Sequence, residues 1–431
     1  MGIEKRDLKA QYHTLGCKLN FSETSAIGRA LRGCGIRRAS VGETPDIIVI
    51  NTCSVTETAD KKGRNLIRRM HQRYPSASIV VTGCYAQLKP DEVSAIEGVD
   101  IVIGSGEKLH AAEYVSEWLR RGERMVDVTP AREITDFQPS CESGDRTRWF
   151  LKVQDGCDYF CTYCTIPYAR GRSRSGHIDD LVARAAEAAG NGAREIVITG
   201  VNIGTFGLDN GQSLFDLLRA LDNVQGIDRY RISSIEPNLL TDEIIEWIPS
   251  SRAFMPHFHI PLQSGSDKVL KMMNRRYDTA LFRQRIEHIR RVMPHAFIGV
   301  DVIAGARGET DYEWQRALEF IGSLPVTRLH VFPYSERPGT AALHLPDPVD
   351  QHTKHVRVAQ LIDISDAKLS LFLRNQKGSS RPVLWEHTRH VGDTIQGLTD
   401  NYVRVQAPWN DRLPNTVTDI TLSADNILAD Q

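Results

Sequence analysis

The chain has 431 residues, too many for one ordinary core at roughly 150 residues per domain, so two or three domains are expected. A formal charge of −1 excludes a global basic field, and any nucleic-acid contact must come from local patches. No apolar run is long enough to span a bilayer and the first residues lack a signal-peptide pattern, so a cytoplasmic protein is expected, whose eight cysteines read as metal ligands or core residues rather than disulfides.

From residue 8 onward, short apolar runs alternate with helical periods, as in parallel sheets with crossover helices. Strands are expected at 11–15, 47–51, 79–82 and 100–103, with helices at 22–32, 56–71 and 90–96. This is an open α/β sheet of Rossmann-like form. Cys17, Cys53 and Cys84 each fall one to three residues past one of these strands, and ligands gather outside the carboxyl ends of parallel strands. Three cysteines distant in sequence can meet there as one site; the alternative is three unrelated small core residues. Gly16 and Gly83 beside them allow close backbone approach. Cys34 and Cys141 receive no role.

A polar stretch at 137–148 reads as a linker. Beyond it, strands at 150–153, 195–199, 229–233, 257–260, 297–302 and 328–331 alternate with helices at 179–189, 214–221, 242–248, 267–273, 281–293 and 311–323. Six βα units make a partial (β/α)6 barrel, and the loop after its first strand lies at the end where barrels place their chemistry. A helix over 350–376 leads to β-like runs at 383–386, 394–398, 402–406 and 417–422, a small β-barrel. The expected division is 8–122, 143–374 and 375–431.

The loop after the first barrel strand reads Cys157-Asp-Tyr-Phe-Cys161-Thr-Tyr-Cys164. Zinc would need a fourth ligand, and His177, the nearest histidine, stands at no usual zinc spacing. Iron–sulfur clusters normally take four thiolates, so a three-cysteine clasp leaves one iron open to an external ligand. The spacing resembles the radical S-adenosylmethionine (SAM) superfamily. That resemblance implies a [4Fe-4S] cluster on Cys157, Cys161 and Cys164 that binds SAM and splits it to a 5'-deoxyadenosyl radical. It also puts Tyr163 where the adenine is contacted. Thr199, Gly200 and Asn202 after the second strand, Ser233 and Ser234 in the third, and His259 and Gln263 leaving the fourth occupy the barrel mouth. Polar groups there can bind the ribose and methionine ends of SAM. The run 301–309 stands where the superfamily reads Gly-Phe-Pro-Gly-Glu; Gly305 keeps a SAM-binding role, while Ala306 and Arg307 replace the Phe-Pro pair and Arg307 receives none.

Two basic stretches are either solvated faces or RNA-backbone contacts: Lys61, Lys62, Arg64, Arg68, Arg69 and Arg73 after Cys53, and Arg170, Arg172 and Arg174 after the cluster loop. The tail offers Trp385, Tyr402 and Trp409 for stacking on unpaired bases.

Two cysteine trios, a Rossmann-like front, the barrel and the β tail together resemble the radical SAM methylthiotransferases over nearly the whole chain. His13-Thr-Leu-Gly-Cys-Lys-Leu-Asn20, Ile50-Asn-Thr-Cys-Ser-Val-Thr-Glu-Thr-Ala-Asp-Lys-Lys62 and Thr82-Gly-Cys-Tyr-Ala-Gln87 are most similar to the MtaB branch. The resemblance implies methylthiolation of C2 of N6-threonylcarbamoyladenosine (t6A) at position 37 of tRNA, by radical C–H activation, sulfur insertion and methyl transfer. It implies a second [4Fe-4S] cluster on Cys17, Cys53 and Cys84 as sulfur carrier, two uses of SAM, and a TRAM-like tail. As partners it implies the tRNA anticodon stem-loop, an electron donor such as flavodoxin or ferredoxin, and a sulfur donor, with no membrane. The alternatives are methylthiolation of isopentenyladenosine in tRNA or of a ribosomal-protein aspartate and, from another class, a non-catalytic iron–sulfur RNA-binding protein.

Overall fold

The computed structural model describes residues 7–142 and 147–428, and for 387–391 the backbone only. The front of the chain is a six-stranded, wholly parallel sheet in the order Arg37–Arg38, Lys9–Thr14, Ile47–Thr52, Ser78–Gly83, Val99–Ile103, Met125–Asp127. Its central strands Ile47–Thr52 and Ser78–Gly83 are buried along their whole length. Continuous Ile/Val runs require this, because helices cover both faces. Helix Glu57–Arg73 packs Leu66, Ile67 and Met70 on one face, while Lys18–Gly33 and Ala111–Arg121 cover the other through Ile27, Leu31, Ala111 and Val115. Thr56 starts the first of these helices by accepting the Ala59 N–H. Sequence reasoning does not anticipate the helix Ala111–Arg121, whose buried face is mostly alanine, or the edge strands of two and three residues, too short to show alternation.

Six parallel strands follow in chain order: Arg148–Lys152, Glu195–Thr199, Arg229–Ile232, His257–Gln263, Phe297–Ala304 and Arg328–Pro333. The third and fourth are joined by the bridges Tyr230 to Phe254 and Ser234 to His259. Among the described residues no ladder links the last strand to the first, so the barrel is open there. The free edge of the first strand pairs instead, antiparallel, with Ser140–Glu142. This corrects the linker reading of 137–148, of which 143–146 lie outside the described residues. Ser140 and Cys141 look polar and isolated in sequence, yet both are buried, and the Ser22 and Ser140 hydroxyls meet at 2.8 Å.

Alternate residues of each barrel strand face opposite sides. Leu151, Ile196, Ile198, Tyr230, Ile232, Phe258, Ile260, Val300, Val302 and Leu329 belong to the hydrophobic core beneath the outer helices. Arg148, Arg231, His257, His259, Asp301 and His330 therefore face the lumen.

Helix Gln351–Gln376, capped by Asp350, leads to a four-stranded antiparallel sheet in the order Arg404–Pro408, Thr394–Thr399, Ser380–Val391, Val417–Thr421. It closes the N-terminal end of the barrel. Arg229 donates to the carbonyls of Leu398 and Pro382, and Arg231 to those of Thr399 and Asp400 and to the Glu195 carboxylate. Two of the three tail aromatics, Trp385 and Tyr402, are used internally, which corrects their reading as stacking platforms. Trp385 is 1% exposed and donates to Thr418, and Tyr402 lies with its ring 4.3 Å from His257 and 5.3 Å from Phe297. No helix among the described residues is long and apolar enough to cross a membrane.

Candidate active site

The loop carrying Cys157, Cys161 and Cys164 turns at Gly156, where φ is +69° and a Cβ would fall 1.9 Å from the Arg172 carbonyl oxygen. Each sulfur receives a donor: the Tyr159 N–H reaches Cys157 at 3.5 Å, Arg275 Nη1 reaches Cys161 at 3.1 Å, and the Ile166 N–H reaches Cys164 at 3.4 Å. Burial pushes the thiols up, Cys157 to about 11 and Cys164 to about 12, and each is raised further by its neighbour Cys161. Three adjacent thiols ringed by N–H donors fit a metal cluster that displaces their protons.

Cys17, Cys53 and Cys84 lie near enough for their charges to act on one another. A Cβ on Gly16 would fall 2.9 Å from Cys53 Sγ, and one on Gly83, at φ +96°, would fall 2.3 Å from the Thr52 carbonyl oxygen; glycine is needed at both turns. Asn20 ties the strand ends together by donating to the carbonyls of Leu15 and Thr52. Burial, then Cys84 and Cys17, push Cys53 up to about 12.

Behind this trio lies a buried charge cluster. Arg170 reaches both oxygens of Glu23 at 3.0 and 3.1 Å, Asp155 at 3.0 Å and Asn20 at 2.6 Å. Lys108 and Lys152 reach Glu23 at 2.8 and 3.1 Å, and Lys152 and Arg174 reach Asp155 at 2.8 and 3.3 Å. Formally four cations face two carboxylates. Burial raises the Cys84 thiol, and Arg170 and Lys108 oppose that rise. Surplus buried positive charge beside three thiols suits an anionic cluster. Among the described residues, no three His, Cys, Asp or Glu side chains are gathered to hold a single metal ion.

This cluster corrects the reading of Arg170 and Arg174 as RNA contacts, since both are buried in ion pairs. Arg172 is exposed, paired with Asp158 and lying over the Phe160 ring. On the helix after Cys53, Lys61, Lys62, Arg68, Arg69 and Arg73 are exposed, while Arg64 pairs with Glu92.

Of the six cysteines, Cys164 lines a cavity of about 220 Å³, which is bounded by Val55 and Thr56, just past Cys53, on the front side and by Tyr163, Thr165, Ile166, Gln263, Asp301, Ile303 and residues 332–335 on the barrel side. Arg337 holds the sides together through Ser54 and Asp60 at 2.8 and 2.7 Å. A larger cleft of about 800 Å³ between helices Lys18–Gly33 and Ile178–Gly190 contains none of these six thiols.

Of the expected SAM contacts, Tyr163 and Gln263 line the cavity. Tyr163 packs against Met273, Ala306 and Tyr334 and its hydroxyl lies 3.4 Å from Arg275. Asn202 is buried with neither amide atom hydrogen-bonded, and it bears on Cys157 and Tyr159. Gln154 shapes the turn before it by accepting the N–H groups of Val201 and Asn202. His259 meets Asp301, a cavity residue, at 2.7 Å. Thr199, Gly200, Ser233 and Ser234 sit at strand ends outside the cavity lining. Gly305 also lies outside it; its N–H donates to Glu309 at 2.6 Å, and a Cβ there would strike Lys354. Arg307 pairs with Glu336 at 2.7 Å.

Sequence reasoning missed Arg275, which also pairs with Glu236, because its contacts lie 114 and 39 residues away. It also missed the lumen. Lys18 lies there among Tyr402, Arg148, Arg231 and Asp301. Burial, chiefly, holds the His257 and His330 rings below the usual range, so both are neutral at pH 7.

The model of the radical SAM superfamily matches residues 151–321, and that of the uncharacterized protein family UPF0004 matches residues 9–104. The chain is 40% identical to the threonylcarbamoyladenosine tRNA methylthiotransferase MtaB of Bacillus subtilis, over 91% of this chain and 89% of that protein. It is 34% identical to the protein of the same name in Aquifex aeolicus, over 93% and 96%. The tRNA-2-methylthio-N(6)-dimethylallyladenosine synthase of Pelotomaculum thermopropionicum is 31% identical over 88% and 86%. Among solved structures, the radical SAM methyltransferase TsrM of Kitasatospora setae superposes with a TM-score of 0.56 at 13% identity, over 75% of this chain and 72% of that one, a likeness of fold.

Proposed function

Because this chain belongs to the radical SAM methylthiotransferases, we propose that it methylthiolates C2 of t6A at position 37 of tRNA. The similarity to the Bacillus and Aquifex threonylcarbamoyladenosine enzymes across nine-tenths of the chain carries this reading. A cavity walled by Cys164 on the barrel side and by Val55 and Thr56, just past Cys53, on the front side supports it. Two [4Fe-4S] clusters, on Cys157, Cys161 and Cys164 and on Cys17, Cys53 and Cys84, together with SAM, supply the radical, sulfur and methyl chemistry when bound.

The side chains supply position and shelter. Arg275 donates to Cys161 and steadies Tyr163, whose ring joins Ile303 and Tyr334 in an apolar wall for a flat base. Asn202, beside Cys157, offers a free donor and a free acceptor, and Gln263 and Asp301 add polar groups at the cavity. The tail floor keeps water from entering through the N-terminal end of the barrel. Around the mouth, Val55, Phe160, Tyr168 and Phe332 are exposed, an apolar rim suited to the unstacked bases of an anticodon loop. The exposed cations of helix Glu57–Arg73 suit its phosphates. We assign 8–122, with the edge strand Met125–Asp127 that follows it, to the auxiliary-cluster domain, 143–374, with the strand Ser140–Glu142 that precedes it, to the radical SAM core, and 375–431 to the TRAM-like domain. A cytoplasmic setting, an electron donor such as flavodoxin or ferredoxin, and a sulfur donor complete the proposal.

The test is mass spectrometry of tRNA nucleosides from a deletion strain. The methylthio derivative of t6A is expected to vanish while t6A remains. Its persistence in a strain with no second such enzyme refutes the proposal.

A further inference from the structure

Lys18 follows Cys17 directly, so their Cα atoms are about 3.8 Å apart. Its side chain nevertheless enters the lumen, where its neighbours are Tyr402, Arg148, Arg231, Asp301, His257 and His330. The other charges there are matched. Arg231 meets Glu195 at 2.9 Å and two tail carbonyls, Arg148 meets the Tyr402 hydroxyl at 3.3 Å, and Asp301 meets His259 at 2.7 Å. The Lys18 ammonium has no hydrogen-bond or ion-pair partner among the described residues. A second group is also unpartnered: His257 is 6% exposed, and its Nδ1 has no hydrogen bond. Polar groups left unmatched inside a protein persist where a ligand completes them.

A lumen with an unanswered cation calls for an anionic oxygen. The threonyl group of t6A carries a carboxylate, and the dimethylallyl group of the alternative substrate carries no charge. In adenine, C2 and the N6-bearing carbon flank the same ring nitrogen. A base that offers C2 to the Cys17 trio therefore brings its N6 substituent within reach of the residue next to Cys17. We propose that Lys18, with His257 facing the same lumen, binds the threonyl carboxylate of t6A and so separates this substrate from uncharged N6 derivatives. The proposal rests on the t6A reading above.

The experiment measures binding of anticodon stem-loop RNAs to the anaerobically reconstituted enzyme. The RNAs carry t6A, its carboxamide analogue or plain adenosine at the target position. Iron content, Mössbauer spectra and SAM affinity are recorded for each variant. The wild-type protein should bind the t6A RNA about 10- to 100-fold more tightly than the carboxamide, the range of a charge-assisted hydrogen bond. Lys18→Met should bind both alike with its clusters and SAM affinity intact, and Lys18→Arg should keep most of the preference. A Lys18→Met protein that retains the wild-type ratio, or that loses SAM affinity while keeping that ratio, overturns the proposal. Equal loss of the preference in Lys18→Arg and Lys18→Met also overturns it, because charge would not be what is read. If the wild-type protein neither prefers nor methylthiolates the t6A RNA over plain adenosine, the t6A reading itself fails; if it methylthiolates t6A but ignores the carboxamide change, only the Lys18 proposal fails.

Discussion

Replacing Glu23 by glutamine tests whether buried charge holds the front sheet to the barrel. Glu23 is fully buried and answers Arg170, Lys108 and Lys152 at 2.8 to 3.1 Å. The amide keeps the shape and removes the charge. Asp155 still answers Arg170 and Lys152, but Lys108 loses its carboxylate partner. Removing one partner of a buried pair costs about 3–5 kcal/mol. Lys108 is already pushed down by burial and can shed its proton, so the lower end, about 3 kcal/mol, is expected. At about 2–4 °C per kcal/mol for a unit of 150–250 residues, the melting temperature should fall by about 6–12 °C. Burial alone would raise the Glu23 carboxyl, yet Arg170, Lys108 and Lys152 hold it well below the usual range. Its contribution is therefore complete above its unfolded value of about 4.3 and is lost as pH falls below that. Unfolding followed by circular dichroism between about pH 3 and 6 should show a shallower acid decline in Glu23→Gln than in the wild-type protein. A variant within about 1 kcal/mol of the wild type, or with the same acid slope, refutes the reasoning.

Cys17→Ala should leave 5'-deoxyadenosine formation intact while abolishing methylthio product, whereas Cys161→Ala should abolish both; chromatography of both products checks this division. Arg275→Met removes a positive donor from Cys161 and should lower the reduction potential of the bound cluster, because added electron density is no longer answered by the guanidinium. An EPR-monitored redox titration reads the shift, and an unchanged potential counts against the contact. Neutralising Lys61, Lys62, Arg68, Arg69 and Arg73 should weaken tRNA binding and flatten its salt dependence, by about one unit of log–log slope for each phosphate left without its cation. An unaltered slope would clear this helix of any role in binding.

The parallel sheet and the barrel were legible because buried strands such as Ile47–Thr52 leave continuous apolar runs and the helices between them keep their period. Both cysteine trios were legible from strand ends and the short C-x3-C-x2-C spacing. Contacts made across the chain were not. Arg170 and Arg174 read as a basic surface patch because charge in a sequence carries no sign of burial, and their partners Glu23 and Asp155 lie on another helix and a preceding strand. Trp385 and Tyr402 read as exposed platforms because a four-stranded sheet leaves little room to tell an outward aromatic from a core one. Lys18 read only as part of a family motif, since a lysine beside a metal ligand looks solvated until the lumen is drawn around it.

The hydrogen bonds by which Arg229 and Arg231 grip the tail end on main-chain oxygens, at Pro382, Leu398, Thr399 and Asp400. What the barrel recognises in its stopper is thus a path of backbone rather than a set of side chains. Tails exchanged between relatives should graft successfully whenever that trace is kept, however far their residues have drifted. One inserted residue between Pro382 and Asp400 that shifts the trace should uncork the tube.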